Sequence, residues 1–182
     1  MRHFWKNLTL GRAAGLTALA CVGMLVFGVY LQHVVGLEPC PMCIVQRYAL
    51  ILVAACAVLS WATGLKASKK QGRSTGQSIW AVLAVLFAAG GAFVAARQSF
   101  LQWYPPQVVS CGRDFYGMVE TFPLQRAIPM IFKGGGDCSK VDWTFLGGSI
   151  ANWSFVAFLG MGLLLACLLV RGRAAGGAVD SR

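Results

Sequence analysis

Four long apolar stretches separated by polar segments are the feature of this chain that most restricts its fold. They run over about residues 13–32, 44–65, 78–98 and 149–170. Because a helix needs about 20 apolar residues to cross the hydrocarbon core of a bilayer, each stretch is long enough for one span. Charged residues make up only 12% of the 182 residues, about half the share typical of a soluble domain. The sequence therefore predicts an all-α membrane protein, a four-helix bundle forming one membrane domain over residues 1–182, with a long loop between helices 3 and 4.

The first apolar stretch has a second interpretation, as a cleaved signal peptide, because Arg2 and Lys6 give the chain a basic start. The stretch is longer than the apolar region of most signal peptides, and no small-x-small cleavage site follows it. We therefore expect it to be retained as a membrane span.

Positive charge is distributed unevenly between the two sides of the predicted bundle. The N-terminus, the second loop and the tail hold ten Lys/Arg and one acid, Asp180. The first and third loops, with the boundary residues Arg47 and Arg97, hold six Lys/Arg and five acids. Because basic residues are enriched on the cytoplasmic side, we expect both termini inside and the loops at about 33–43 and 99–148 outside.

The net charge of +10 does not indicate a nucleic-acid partner. The basic residues lie at the ends of the apolar stretches, where they set topology, and not in one patch interleaved with aromatic residues. The predicted partner of this chain is therefore the lipid bilayer and not a nucleic acid. The Gly/Ala-rich tail over about 172–182 is expected to be disordered and cytoplasmic.

Seven cysteines fall into two groups. Cys21, Cys56 and Cys167 lie inside the spans, where a free cysteine packs like a small apolar residue. The other four lie in the outer loops and are the candidate site residues: Cys40, Cys43, Cys111 and Cys138. On an oxidising side of the membrane, such thiols are expected to form disulfides, which can be structural or redox-active.

The C-x-x-C formed by Cys40 and Cys43 favours the redox-active alternative. A bond between them closes a very small ring, which constrains little of the unfolded chain. For Cys111 and Cys138, a plain loop staple remains open, although the glycines at 134–136 indicate a mobile hinge.

Two metal-based uses of the cysteines fit the spacing poorly. A zinc site usually has two C-x-x-C knuckles, whereas the second pair here, Cys111 and Cys138, is 27 residues apart. Attachment of c-type haem requires a histidine directly after the C-x-x-C, and this chain has Ile44 there.

The position of the C-x-x-C predicts its chemistry. Pro39 and Pro41 end any preceding helix, and the second span begins at about Cys43. The positive end of a helix dipole stabilises a thiolate, the form of cysteine that attacks disulfides. Arg47 follows Cys43 by one turn on the same face, and a charge at this depth is usually functional. It either snorkels to the headgroups or binds an oxygen of a membrane-dissolved oxidant above Cys43.

These residues together resemble the disulfide bond formation protein B (DsbB) family. The resemblance rests on Cys40-x-x-Cys43-x-x-x-Arg47 after the first span, Trp103-Tyr104-Pro105 before Cys111, and Gly136-Asp137-Cys138 before the last span, and it covers about residues 13–170. It implies a bacterial inner-membrane thiol–quinone oxidoreductase with a long periplasmic loop. Its implied partner is a periplasmic thioredoxin-fold dithiol protein of the DsbA type, and its implied electron acceptor is ubiquinone or menaquinone.

The resemblance also implies a role for each site residue. Cys111 forms the mixed disulfide with the partner, and Cys138 then exchanges with Cys40. Cys43 faces the quinone, and Arg47 binds the quinone oxygen.

The chain departs from the family pattern at two positions near the implied quinone site. Gln46 stands where some relatives have an acidic residue, and Gln98 where some have a histidine close to the quinone. Gln98 can still donate a hydrogen bond to a carbonyl, so it is a candidate quinone-binding residue, but it supplies no charge.

Two other functions remain as alternatives. The vitamin K epoxide reductase-like family also combines a small bundle, a C-x-x-C and a quinone, but its C-x-x-C comes late and its loop cysteines early, the reverse of the order here. A membrane scaffold with structural disulfides predicts that the Cys40–Cys43 bond resists mild reduction.

Overall fold

The computed structural model describes residues 9–37, 39–68, 74–105, 141 and 143–180. Four long helices and one small hairpin make up this part of the chain. The helices are α1 (Leu10–His33), α2 (Pro41–Ser68), α3 (Thr75–Trp103) and α4 (Ile150–Asp180). The hairpin pairs β1 (Thr144–Phe145) with β2 (Gly148–Ser149) in antiparallel fashion and leads directly into α4.

All four helices are long and apolar enough to cross a membrane. The segments that meet this condition are Leu10–His33, Pro41–Lys66, Thr75–Trp103 and Ile150–Gly172, with mean hydropathies of 2.1 to 2.3. Large apolar side chains also cover much of the outer surface of the bundle, including Leu19, Phe93 and Leu163. A lipid environment accommodates such a surface, and the predicted class, a four-span all-α membrane protein, is confirmed.

The helix ends differ from the predicted spans in ways that have a physical basis. Helix α2 begins at Pro41, because proline is favoured in the first helical position, where its missing N–H is not needed. Helix α4 is assigned over Ile150–Asp180, past the end of the fourth predicted span at about residue 170.

Small residues hold the helices close together. Ala13 and Ala14 in α1 and Ala81 and Ala84 in α3 are fully buried. Such residues let helix backbones approach closely in a membrane, where van der Waals packing replaces the hydrophobic effect. Helices that follow one another in the chain pack together extensively, whereas α1 and α4 share a much smaller contact.

The up-and-down order of the bundle brings four helix ends to the same side. The C-terminal ends of α1 and α3 meet the N-terminal ends of α2 and α4, as shown by hydrogen bonds from Arg47 to Gln32 and from Ser149 to Gln102. The C-x-x-C and the hairpin both lie at this end.

Candidate functional site

The two cysteines of the C-x-x-C lie at the N-terminal end of α2. Cys40 directly precedes the helix, and its carbonyl accepts a hydrogen bond from the Ile44 amide at 3.2 Å. One helical turn brings the two Sγ atoms to 3.1 Å from each other. At this separation the two sulfurs are not bonded to each other, but they are close enough to form a disulfide with a small shift. Cys40 is buried and Cys43 is half-buried, so Cys43 is the more accessible sulfur.

Gln98 of α3 lies directly against this pair. Its Nε2 is 3.3 Å from the Sγ of Cys40 and 3.3 Å from the Sγ of Cys43. Its Oε1 is 3.8 Å from the Cys43 Sγ and accepts a hydrogen bond at 2.6 Å from Nε2 of Gln46, one turn further along α2. Gln98 therefore contacts both sulfurs and also lines the adjoining cavity; its contact with a quinone stays a prediction.

Arg47 joins α2 to α1. Its Nη1 donates to Oε1 of Gln32, and its Nη2 donates to the carbonyl of Gly28 at 3.0 Å. The guanidinium also lies close to the Gly28 backbone, with its Nε 3.6 Å from the point where a Cβ would stand. The two contacts hold the charge against the bundle at the level of the site.

A cavity of about 640 Å³ connects these groups. Its walls are mostly apolar, and they include Met24, Leu31, Leu50 and Ala157. Cys40, Cys43, Gln46, Arg47 and Gln98 all line it. A cavity of this size with apolar walls and a few convergent polar groups is typical of a small-molecule site.

Aromatic rings from the hairpin close one side of the cavity. Trp143 stacks on Phe145 with ring centroids 6.0 Å apart, and it contacts Phe27 of α1 edge-on at 5.8 Å. The Trp153 indole N–H donates to the Phe145 carbonyl at 2.9 Å, which fixes the hairpin to the first turn of α4. Flat apolar surfaces of this kind are suited to contact with a planar ring.

Sequence reasoning missed several polar residues of the cavity. Gln32, Gln102 and Ser149 all line it, yet each is a single polar residue near a helix end, without a motif. For Gln32, the one signal in the sequence that could have indicated a role in the site was its position at the end of the first span, at the same membrane depth as Arg47.

The structure brings together four of the six predicted site residues: Cys40, Cys43, Arg47 and Gln98. Cys111 and Cys138 lie outside the described residues, so their predicted pairing and their contact with Cys40 stay predictions.

The span cysteines lie away from the site. Cys21 is fully buried and contacts the Met161 sulfur at 3.6 Å, and Cys56 is buried in the core. Cys167 is exposed on the outer face of α4. None of the three lines the cavity that holds the C-x-x-C.

Comparison with known proteins gives one consistent family. The sequence matches the family described as disulfide bond formation protein DsbB over residues 11–168. A relative named disulfide bond formation protein B from Polaromonas naphthalenivorans is 68% identical over 160 residues, 88% of this chain and 91% of the relative. Relatives of the same name from Albidiferax ferrireducens and an Azoarcus species are 64% and 50% identical, over 91% and 84% of this chain and 90% and 87% of their own lengths.

Proposed function

Because this chain belongs to the disulfide bond formation protein DsbB family, we propose that it is a disulfide oxidoreductase of the bacterial inner membrane. It reoxidises a periplasmic thioredoxin-fold dithiol oxidase of the DsbA type and passes the two electrons to a membrane quinone. The observation that carries the proposal is the Cys40–Cys43 pair at the edge of an apolar cavity that Arg47 also lines.

The electrons enter through the loop cysteines. The reduced partner attacks the Cys111–Cys138 disulfide and forms a mixed disulfide with Cys111, which releases the Cys138 thiolate. The second thiol of the partner then breaks the mixed disulfide, so that the partner leaves oxidised and the loop pair is reduced. Cys138 next exchanges with the Cys40–Cys43 disulfide through Cys40, which regenerates the loop disulfide and leaves a Cys40–Cys43 dithiol.

The cavity suits a quinone ring. Its apolar and aromatic walls match the ring and the start of an isoprenoid chain, and they exclude water. The guanidinium has five N–H donors, and its bonds to Gln32 and Gly28 orient it beside the cavity. When bound, ubiquinone or menaquinone supplies an acceptor for two electrons and two protons. Arg47 would hold the quinone by a hydrogen bond to one of its oxygens.

Energetics favour such an acceptor. A DsbA-type partner is itself a strong oxidant, with a reduction potential of about −120 mV. Its reoxidation therefore requires an acceptor of still higher potential, which excludes glutathione disulfide, because the potential of the glutathione couple is lower. A membrane-dissolved quinone meets this requirement and reaches the site within the lipid.

The distribution of basic residues supports the orientation. With both termini cytoplasmic, the described ends of the helices that carry the site face the periplasm, where the partner resides. A hybrid with alkaline phosphatase fused after residue 105 is then expected to be active, and one fused after residue 70 inactive.

The activity is tested with the purified full-length protein in mild detergent, a reduced DsbA-type partner and ubiquinone. Cys43→Ser is expected to abolish quinone-dependent oxidation of the partner, because the last thiol before the acceptor is lost. Cys167→Ser is the matched control, since this cysteine lies on the outer face of α4, and it is expected to keep full activity. Equal activities of the two variants would refute the proposed role of Cys43.

The entry step has its own test. The oxidised protein is mixed with a reduced partner that keeps only its attacking cysteine, so that no second partner thiol can break the mixed disulfide, and a covalent complex through Cys111 should accumulate on a non-reducing gel. The absence of this complex, in protein that is folded and inserted, would show that electrons do not enter at Cys111.

A further inference from the structure

Two buried glutamines meet beside the C-x-x-C. Gln46 of α2 is 5% exposed and Gln98 of α3 is 4% exposed. The amide nitrogen of Gln46 donates to the amide oxygen of Gln98 at 2.6 Å. Buried hydrogen bonds of this kind are strong constraints, because breaking one leaves a polar group unpaired in an apolar environment.

This contact fixes which end of the Gln98 amide faces the cysteines. A primary amide has a donor end and an acceptor end. With Oε1 held by Gln46, Nε2 points toward the thiols, at 3.3 Å from each Sγ. Gln46 itself reaches the site through Gln98, since its hydrogen bond goes to that side chain and not to a sulfur.

We propose that Gln46 is a positioning residue that sets the redox balance of the Cys40–Cys43 pair by fixing the direction of the Gln98 amide. The proposal depends on the proposed function for the role of this pair, but the redox balance can be measured without turnover or partner.

The direction of the amide matters because the two redox forms differ as acceptors. An N–H donor stabilises sulfur that carries negative charge, whereas the sulfurs of a disulfide are uncharged and accept hydrogen bonds weakly. The Gln98 amide, with its nitrogen toward both sulfurs, therefore favours the reduced pair over the disulfide. A reduced pair stabilised in this way takes electrons more readily from the strongly oxidising partner.

Loss of the Gln46 contact removes this bias. The Gln98 side chain can then turn its oxygen toward the cysteines, where it accepts from a thiol but repels a thiolate. The equilibrium should move toward the disulfide by about tenfold, the effect of one hydrogen bond to a charged group. A tenfold change equals about 30 mV in a two-electron couple.

The test uses the full-length protein equilibrated in a series of redox buffers. After free thiols are trapped, mass spectrometry of the peptide that carries both Cys40 and Cys43 gives the potential of this pair alone. Gln46→Met, which keeps the length of the side chain but has no amide, is expected to lower the potential by about 30 mV. An unchanged potential would refute the proposal.

A double-mutant cycle separates a positioning role from a direct one. If Gln46 acts through Gln98, the double variant Gln46→Met, Gln98→Met should have the potential of Gln98→Met alone. Fully additive shifts would overturn the proposal. Gln77→Met is the matched control, because Gln77 is buried in α3, the helix that carries Gln98, but lies about 30 Å from Gln98 along it. This variant should leave the potential of the Cys40–Cys43 pair unchanged.

A second variant does not depend on the loss of a polar group. In Gln46→Glu, a carboxylate accepts but cannot donate, so it binds Nε2 of Gln98 and turns Oε1 toward the sulfurs. This variant should also lower the potential, and an unchanged or raised value would contradict the proposal. If the double-mutant cycle shows no coupling between Gln46 and Gln98 but quinone-dependent turnover is intact, only this inference is wrong. If the two residues are coupled but the protein has no quinone-dependent turnover, the proposed function is wrong.

Discussion

Replacement of Gly91 by alanine is a sharp test of how closely α3 and α4 pack beneath the site. A Cβ at this position would lie 2.7 Å from Cδ1 of Phe158 and still closer to Cε1 and Cζ. The Phe158 ring is fully buried in the core cluster of the bundle, so it has no open space to turn into. We therefore expect the two helices to move apart in Gly91→Ala.

The size of the effect follows from two opposing contributions. Overpacking of a tight core costs about 1–3 kcal/mol, whereas exchange of glycine for alanine inside a helix gains up to about 1 kcal/mol. The variant Gly90→Ala separates the two contributions. Gly90 is exposed and a Cβ there meets nothing within 4 Å, so this variant has the helix gain without the clash. Since both variants share the helix gain, the difference between them isolates the clash, about 1–3 kcal/mol.

Reversible unfolding in mixed micelles with increasing sodium dodecyl sulfate, followed by tryptophan fluorescence, gives the free energy of unfolding for each variant. Gly91→Ala is expected to be less stable than Gly90→Ala by that amount. The double variant Gly91→Ala, Phe158→Leu should recover part of the loss, because the smaller side chain leaves room for the new methyl group. Equal stability of the Gly90 and Gly91 variants would refute the packing described for this pair of helices.

Three further predictions concern the site and the hairpin beside it. Arg47→Lys keeps the charge but cannot reproduce the two hydrogen bonds of the guanidinium; kcat/KM for ubiquinone should fall about tenfold, and an unchanged value would argue against its role. Ser149→Ala removes the acceptor of the Asn152 amide at the start of α4, which should cost about 1 kcal/mol in the same unfolding assay; no loss would show that this cap is dispensable. Gly147→Ala places a side chain at φ 79°, at a cost of about 1–2 kcal/mol, so the fluorescence of Trp143 should report a shifted hairpin; an unaltered spectrum would contradict this.

The spans and the helix-terminal C-x-x-C could be predicted from the sequence, because each is a local property. Apolar runs of about 20 residues leave a membrane helix as the one way to satisfy their backbone hydrogen bonds. Pro41 marks a helix start by the same local chemistry, and it placed Cys43 in the first turn of α2.

The contacts across the bundle could not be predicted, because they depend on the rotation of each helix about its axis. Gln98 was a candidate because some relatives of the resembled family have a histidine close to the quinone at this position, but its partner in the bundle could have been a ligand, a sulfur or another side chain. The Gln46 contact that orients it joins residues 52 positions apart. The bond between Arg47 and Gln32 is of the same kind, since it depends on the approach of α1 to α2.

A single anaerobic turnover tests the central claim most directly, namely that Cys43 delivers electrons to a quinone beside Arg47. The fully reduced Cys111→Ser, Cys138→Ser variant, in which no loop thiol can exchange with the Cys40–Cys43 pair, is mixed with one equivalent of ubiquinone. Quinol formation is followed by absorbance while thiols are trapped and the Cys40–Cys43 peptide is analysed. One quinol should form for each Cys40–Cys43 disulfide, at the same rate. Formation of the disulfide without quinol, or of quinol in the Cys43→Ser variant, would contradict the account.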